Sequence, residues 1–280
     1  MNAVGIVYNG TVPRIAGLVP QVAEFIESHG KRVIAVPGSG PALPPVDLVV
    51  VLGGDGTFLR ATRLIAPAET PILSVDLGTL GFLAEVEYAE LPEALEQVFA
   101  GQFRLESRTL LDVRHHRGGE TLAQHMALNE GVVLKGNSAR MLELEVFAGE
   151  SLVAHYGADG MILSTPTGST AYALSAGGPI MAPDVPAWIL APICPHTLTA
   201  RPLVMASETI VRVVALERAE GALLSADGFT VGWLQPGDEV TFRRSEHVVR
   251  LVKVKGRDFF NALRDKLRWG DPRQVGPDED

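Results

Sequence analysis

The pentapeptide Gly53-Gly54-Asp55-Gly56-Thr57 carries the sharpest chemical signal in the sequence. It follows the apolar run Leu48 to Leu52 and leads into Phe58-Leu59-Arg60 of a helical pattern, so strand, glycine turn and helix come in that order. Open α/β sheets bind ligands at such a place. Glycines let the backbone approach a phosphate closely, and the N–H groups of a helix start supply positive potential. Asp55 is the anomaly in this setting. A carboxylate beside phosphates repels them, so its presence implies a metal, a proton-transfer role or a hydrogen bond to a hydroxyl. A hydroxyl that accepts a phosphoryl group satisfies the last two together, with Asp55 taking the proton as the hydroxyl oxygen attacks the terminal phosphate. The plainer alternative is a tight turn in which Asp55 caps the helix through a following amide. Arg60 lies on roughly the same side of that helix, either within reach of a phosphate or simply solvated. No GxxxxGK[ST] occurs and no GxGxxG opens a helix after a strand, which disfavours a Walker-type ATPase and a standard dinucleotide dehydrogenase.

Further along, Asn129-Glu130 stands just before an apolar strand. An ionised Glu130 offers acceptors to the two hydroxyls of a ribose, and Asn129 both donates and accepts; an ordinary polar turn is the alternative. The stretch Ser164 to Pro179 is dense in hydroxyls and glycine and carries no charge. Within it, Ala171 to Ala176 reads as a short helix capped by Ser169 or Thr170 and closed by Gly177, a place to hold a polar ligand. Asp159-Gly160 adds a carboxylate upstream or marks a turn. His115 and His116 read as a solvated hairpin end rather than metal ligands, because neighbouring side chains point apart. His196 lacks a partner that would mark it as a base, and Cys194 lacks a local activating group.

These groups need a scaffold, and the hydrophobic pattern supplies two kinds. Val4 to Tyr8, Val33 to Val36, Asp47 to Leu52 and Ile72 to Val75 are short β-branched runs, several of them apolar throughout, as in a parallel sheet covered on both faces. Between them, Ile15, Leu18, Val19, Val22 and Ile26 have helical spacing, with Pro20 as a kink or a start. Thr57 to Ala66 forms a second helix stopped by Pro67, and Leu91 to Ala100 a third, with Pro92 near its start and Gly101 beyond its end. A doubly wound α/β domain over residues 1 to about 105 follows. From Arg104 the texture changes to strand-like runs, Leu110 to Val113, Gly131 to Leu134, Met141 to Val146, Ile210 to Leu216 and Glu239 to Phe242, so residues 106–255 form a mostly β second domain. Phe259, Phe260, Leu263 and Leu267 share a helical face, and the segment 256–270 is expected to return to the first domain. The tail 271–280, rich in Pro, Gly and Asp, is expected to be disordered.

Composition narrows the function. Across 280 residues, 24 Lys and Arg face 33 Asp and Glu for a net charge of −9, the wrong sign for a general nucleic-acid footprint. The single cysteine, Cys194, excludes an intrachain disulfide, a CxxC redox site and Cys-Cys zinc pairs. Met1 to Gly10 lacks a basic start followed by a long apolar run, and no run approaches the ~18 residues of a membrane helix. The expectation is a soluble, cytoplasmic protein that binds neither nucleic acid nor membrane.

Taken jointly, these residues resemble the NAD kinase family of ATP- or polyphosphate-dependent kinases. The resemblance runs in order through Gly53 to Thr57, Gly81-Phe82-Leu83, Asn129-Glu130, Asp159-Gly160, Ser164 to Pro179, Pro192 to Leu198, Arg201-Pro202 and Leu263 to Gly270. GGDGT is shared with diacylglycerol, sphingosine and phosphofructo-kinases, whereas TPTGSTAY with its Ala-Gly-Gly-Pro end is far more specific. The resemblance implies phosphoryl transfer from ATP, or polyphosphate, to the 2′-hydroxyl of the adenosine ribose of NAD, with Asp55 as proton acceptor and Gly53, Gly54, Gly56 and Thr57 in the phosphate loop. It implies that Asp55, Gly56, Arg60, Asn129, Glu130, Arg140, Asp159, Thr170, Ala171, Tyr172, Ala173, Leu174 and Ser175 line the NAD site. A divalent cation, Mg²⁺ by expectation, accompanies the donor, and a homodimer or homotetramer is implied. Two positions depart from the family pattern: many members carry a basic residue where Gly157 stands, and a glutamine where Phe229 follows Asp227-Gly228. Competing readings are a lipid or sugar kinase sharing only GGDGT, disfavoured for lipid by the lack of a basic amphipathic segment, and a silent dinucleotide-binding regulator, disfavoured by the intact Asp55.

Overall fold

The computed structural model describes residues 1–66, 68–78, 81–137, 140–256 and 258–268. The chain divides into two compact units, one of residues 1–107 with 249–280, the other of residues 108–248. The tail 271–280 lies outside the described residues.

The first unit opens with β1 (Ala3–Tyr8), α1 (Pro13–Ser28), β2 (Arg32–Pro37), β3 (Leu48–Leu52), α2 (Asp55–Ile65), β4 (Ile72–Asp76), β5 (Val86–Glu87) and α3 (Leu91–Phe99). Its strands are all parallel, in the order β5-β4-β3-β1-β2. β3 and β4 are buried at every residue, as their unbroken apolar runs require once helices cover both faces. The order reverses between β1 and β3, the topological switch point, and the glycine loop leaves the carboxyl end of β3 there. α1 starts at Pro13, in the first turn where a missing N–H costs nothing, and runs through Pro20, which faces solvent. Pro20 is therefore not its start. α2 begins at Asp55 itself, two residues ahead of the expected Thr57.

The second unit contains β6 (Arg104–Arg117), whose first residues belong to the first unit, then β7 (Glu120–Ala127), β8 (Glu130–Leu134), β9 (Leu142–Ala148), β10 (Ser151–Ala158), β11 (Gly160–Ser164), α4 (Tyr172–Ser175), β12 (Ala187–Ile193), β13 (Leu203–Ala206), β14 (Val211–Ala215), β15 (Ala222–Ala226), β16 (Phe229–Leu234) and β17 (Glu239–Lys253). Six antiparallel strands order as β13-β12-β11-β8-β15-β16, while β10-β9-β14-β17 and the β6–β7 hairpin form the other layer. Alternate residues of β9 and β14 point inward, and with Leu111, Met161, Trp188, Leu224 and Phe242 they make the core between the layers. The far face of β8, β11 and β12 is buried too, since Ala173 and Met181 pack against Val132, Ile162 and Ile189.

β17 ends beside β4, Leu251 pairing in parallel with Ile72, and α5 (Phe259–Leu267) follows. The carboxyl-terminal segment thus returns to the α/β unit. α5 buries Ala262 and Leu263, but Phe260 turns outward at 56% exposure, so the buried face is narrower than the spacing of the two phenylalanines suggested.

His115 corrects the picture of a solvated hairpin end. Gly118 and Gly119 make the tight turn at positive φ, but three residues before Gly118 His115 is buried and its Nε2 lies 2.8 Å from Asp238 Oδ2. Arg117 donates to both oxygens of the same carboxylate at 2.7 Å, and these donors hold Asp238 well below the usual carboxylate range against the opposing effect of burial. The partner is 123 residues away, beyond the reach of local spacing.

Candidate active site

In the first unit, Gly53 and Gly54 carry the chain from β3 into α2, and the Gly54 carbonyl accepts from Thr57 and Phe58 N–H. Gly54 and Gly56 are exposed with no atom near the position of a Cβ, so the outer face of the loop is open. Asp55 does not cap α2. Its Oδ2 accepts from the Phe82 N–H and its Oδ1 from the Leu83 N–H, each at 3.2 Å, and Lys266 Nζ of α5 lies 3.1 Å from Oδ2. Gly81 makes this possible: a Cβ there would overlap Oδ1 and sit 2.9 Å from Cγ. The segment that supplies these amides is fixed at its other end. Glu85 is buried, ion-paired with Lys253, and its Oε1 accepts from the N–H groups of Val254 and Lys255 at 2.8 and 2.9 Å. Arg60 packs over Gly38 of the turn after β2, and among the described residues no hydrogen bond or ion pair joins it to Asp55.

In the second unit, Leu128-Asn129-Glu130 is gathered by a residue sequence reasoning passed over. Asp227 accepts from the N–H groups of all three, at 2.7, 2.8 and 3.2 Å. It does so from the Asp-Gly turn between β15 and β16, where Asp227 at φ 50° and Gly228 at φ 76° make the primed turn of a tight hairpin. Glu130 is 7% exposed; burial first, and the Asp227 charge second, push its carboxyl up to about 8 despite an opposing hydrogen bond from the backbone of Tyr172. Among the described residues Glu130 Oε2 has no hydrogen-bond partner.

The hydroxyl-rich loop docks on the same strand end. Thr165 Oγ1 donates to the Leu128 carbonyl, Thr165 N–H to that of Asn129 at 2.8 Å, and Gly168 N–H to Thr165 Oγ1 at 3.1 Å. Gly168 approaches so closely that a Cβ would overlap the Asn129 carbonyl oxygen. The structure thus brings Asn129, Glu130 and the start of α4 together. Ser169 and Thr170 do not cap α4: Ser169 Oγ bonds the backbone of Met181, and Thr170 Oγ1 donates to the Thr167 carbonyl. Tyr172 and Ser175 are exposed, Thr170, Ala171 and Leu174 half-buried, and Ala173 fully buried in the core, so its side chain is closed off from solvent. Asp159 links β10 to β11 and pairs with Lys135 at 2.6 Å. Arg140 is exposed. Arg108, buried and 3.4 Å from Thr167 Oγ1, was not singled out by the sequence either. His196 has an exposed side chain, while its N–H donates to the Gly157 carbonyl.

A carboxylate clamped by backbone amides at the mouth of an open glycine loop, on a doubly wound sheet, is the equipment of a phosphotransferase that acts on a hydroxyl acceptor. The comparisons with known proteins give the particular kind. Residues 44–103 match the family model of the ATP-NAD kinase N-terminal domain and residues 128–254 that of the C-terminal domain. The NAD kinase of Carboxydothermus hydrogenoformans is 45% identical over 80% of this chain and 80% of its own. That of Geobacter sulfurreducens is 44% identical over 91% of this chain and 89% of its own. Among solved structures, yeast NADH kinase complexed with NADH superposes with a TM-score of 0.83 at 27% identity, covering 99% of this chain and 90% of that one. An NAD kinase from Archaeoglobus fulgidus in complex with ATP gives 0.78 at 28% identity, over 95% and 98%. The chain belongs to the NAD kinase family.

Proposed function

We propose that this protein transfers the γ-phosphoryl group of ATP to the 2′-hydroxyl of the adenosine ribose of NAD, with Asp55 as the proton acceptor. The phosphorylation of NAD to NADP with ATP is the reaction of its family. The observation that supports the role of Asp55 is its clamp: two amides and an ammonium orient the carboxylate at the start of α2. The ribose oxygen forms the new P–O bond, the bond from phosphorus to the β,γ-bridging oxygen breaks to release ADP, and the hydroxyl proton passes to Asp55. Positioning and charge stabilisation supply most of the acceleration in such transfers. Asp55, Gly56, Arg60, Asn129, Glu130, Arg140, Asp159 and Thr170 to Ser175 hold NAD, and Gly53, Gly54, Gly56 and Thr57 form the loop that faces the donor phosphates.

Among the described residues there is no group of three or more His, Cys, Asp or Glu that could hold a metal ion. A divalent cation, Mg²⁺ by its chemistry with phosphate oxygens, belongs with the donor as part of the substrate. Polyphosphate as a second donor, assembly as a homodimer or homotetramer, and a cytoplasmic location are proposed from the resemblance. No helix among the described residues is long and apolar enough to cross a membrane.

The test is NADP formation from NAD, ATP and Mg²⁺, read through an NADP-specific dehydrogenase, for wild type and Asp55→Asn. The expected loss is about 10³-fold or more in kcat with NAD binding by calorimetry retained, in line with removal of a general base. Wild-type turnover in the variant would remove Asp55 from that role.

A further inference from the structure

The proton acceptor is reached by a residue from the far end of the chain. Lys266, near the end of α5, places Nζ 3.1 Å from Asp55 Oδ2, across a sequence separation of 211 residues. The same Nζ lies 4.8 Å from the centroid of the Phe82 ring, so the ammonium sits between the carboxylate and an aromatic face, and Phe82 also donates its N–H to that carboxylate. Lys266 is the one cationic side chain that contacts Asp55 among the described residues. Both groups are partly open to solvent, at 37% for the Lys266 side chain and 29% for that of Asp55. An exposed pair of this kind contributes little to stability, so holding the fold together does not account for it.

An ionised carboxylate has about four acceptor positions. The Phe82 and Leu83 amides and the Lys266 ammonium occupy three of them. Among the described residues one position is left for an incoming hydroxyl, and the three donors orient the carboxylate so that this position is defined. Without Lys266, Oδ2 keeps a single donor at 3.2 Å, and two acceptor positions compete for the proton with less definition of the carboxylate plane.

We infer that Lys266 is a positioning residue for phosphoryl transfer: it fixes the Asp55 carboxylate so that a single acceptor position faces the substrate hydroxyl, and it makes the docking of the carboxyl-terminal helix a condition for turnover. The inference rests on Asp55 being the proton acceptor. It assigns Lys266 an effect on the chemical step, not on substrate affinity. Lys253 and Glu85 assist from the other side, because their buried pair fixes the segment that carries the two amides.

The experiment compares full-length Lys266→Met, Lys266→Arg and Asp55→Asn in the NADP-forming assay, with kcat and KM determined separately for NAD and ATP and folding checked by thermal melting. Lys266→Met is expected to lower kcat about 10- to 100-fold with both KM values within about threefold, and Lys266→Arg to recover most of it, since a guanidinium also donates to a carboxylate. Lys266→Gln, which keeps a donor without the charge, replaces Lys266→Met if that variant melts early. A wild-type kcat in Lys266→Met or Lys266→Gln overturns the inference, and so does a tenfold rise in the KM for ATP at unchanged kcat, which would place Lys266 on the donor. Full turnover in Asp55→Asn strikes the proton-acceptor reading itself. Loss in Asp55→Asn beside an unaffected Lys266→Met strikes only the role of Lys266.

Discussion

Asp55 in the first unit and Glu130 in the second are acidic groups whose surroundings are opposite in kind. Asp55 meets two amides and an ammonium and stays partly exposed, so its charge is matched by donors. Glu130 is buried, one of its oxygens has no partner among the described residues, and its nearest strong influence is the negative Asp227. The first carboxyl is arranged to remain an acceptor. The second holds its proton through the neutral range and so is equipped to donate a hydrogen bond as well as accept one.

The same contrast separates two glycines, and identical substitutions sharpen it. Gly168→Ala carries the largest expected effect on the fold. The new methyl overlaps the Asn129 carbonyl oxygen and sits 2.7 Å from its Cα, in a buried strand end that cannot yield without breaking the Thr165 bonds. A loss of about 3 kcal/mol or more is expected, at or above the upper end of ordinary overpacking, visible as a lower midpoint in urea unfolding together with weakened NAD binding. A wild-type midpoint would show that the loop shifts freely.

Gly81→Ala makes an overlap of similar severity, but against a partly exposed side chain. The Asp55 carboxylate can swing away, so the melting temperature should stay within a few degrees while kcat falls about 100-fold through lost positioning. Equal losses of stability in the two alanine variants would erase the distinction between the two glycines.

The most gradual effect is on pH dependence. The Glu130 carboxyl is raised in the folded state to about 8, so the folded protein holds a proton that the unfolded chain releases above the usual carboxylate range. Between about pH 4.5 and 8 the unfolded state binds fewer protons, and the contribution of Glu130 to stability is present below that window and lost as pH rises through it. Glu130→Gln mimics the protonated form and removes the loss. Melting curves at several pH values should therefore show the variant gaining on wild type from pH 5 to 8.5, by up to a few kcal/mol. A constant difference across that range would mean that Glu130 is ionised throughout.

Much of the scaffold was legible in the residues. The all-apolar runs at β1, β3 and β4 announced a covered parallel sheet, and the strand-like runs between turns announced β9 and β14, whose alternating burial the structure adds. β10, β13 and β16 were not singled out, and few of their residues are buried. β12 escaped for the opposite reason: burial on both faces erases the period of two, and Pro192 near its end argues against a strand. Pro20 lies inside α1 on its exposed face, so of the two readings, a kink or a start, the start is excluded.

The sequence by itself determined the residue types: a carboxylate in a glycine turn between strand and helix, an Asn-Glu pair before a strand, and a hydroxyl-rich loop with small residues where backbones touch. Those follow from composition and spacing, which act over a few residues. Only the tertiary structure decided what each carboxyl became. Lys266 reaches Asp55 across 211 residues, Asp227 gathers Leu128 to Glu130 across about a hundred, and burial raises Glu130. Hydrogen bonds and charge interactions depend on distance in space and on exclusion of water, and neither is written in the interval between residues along a chain.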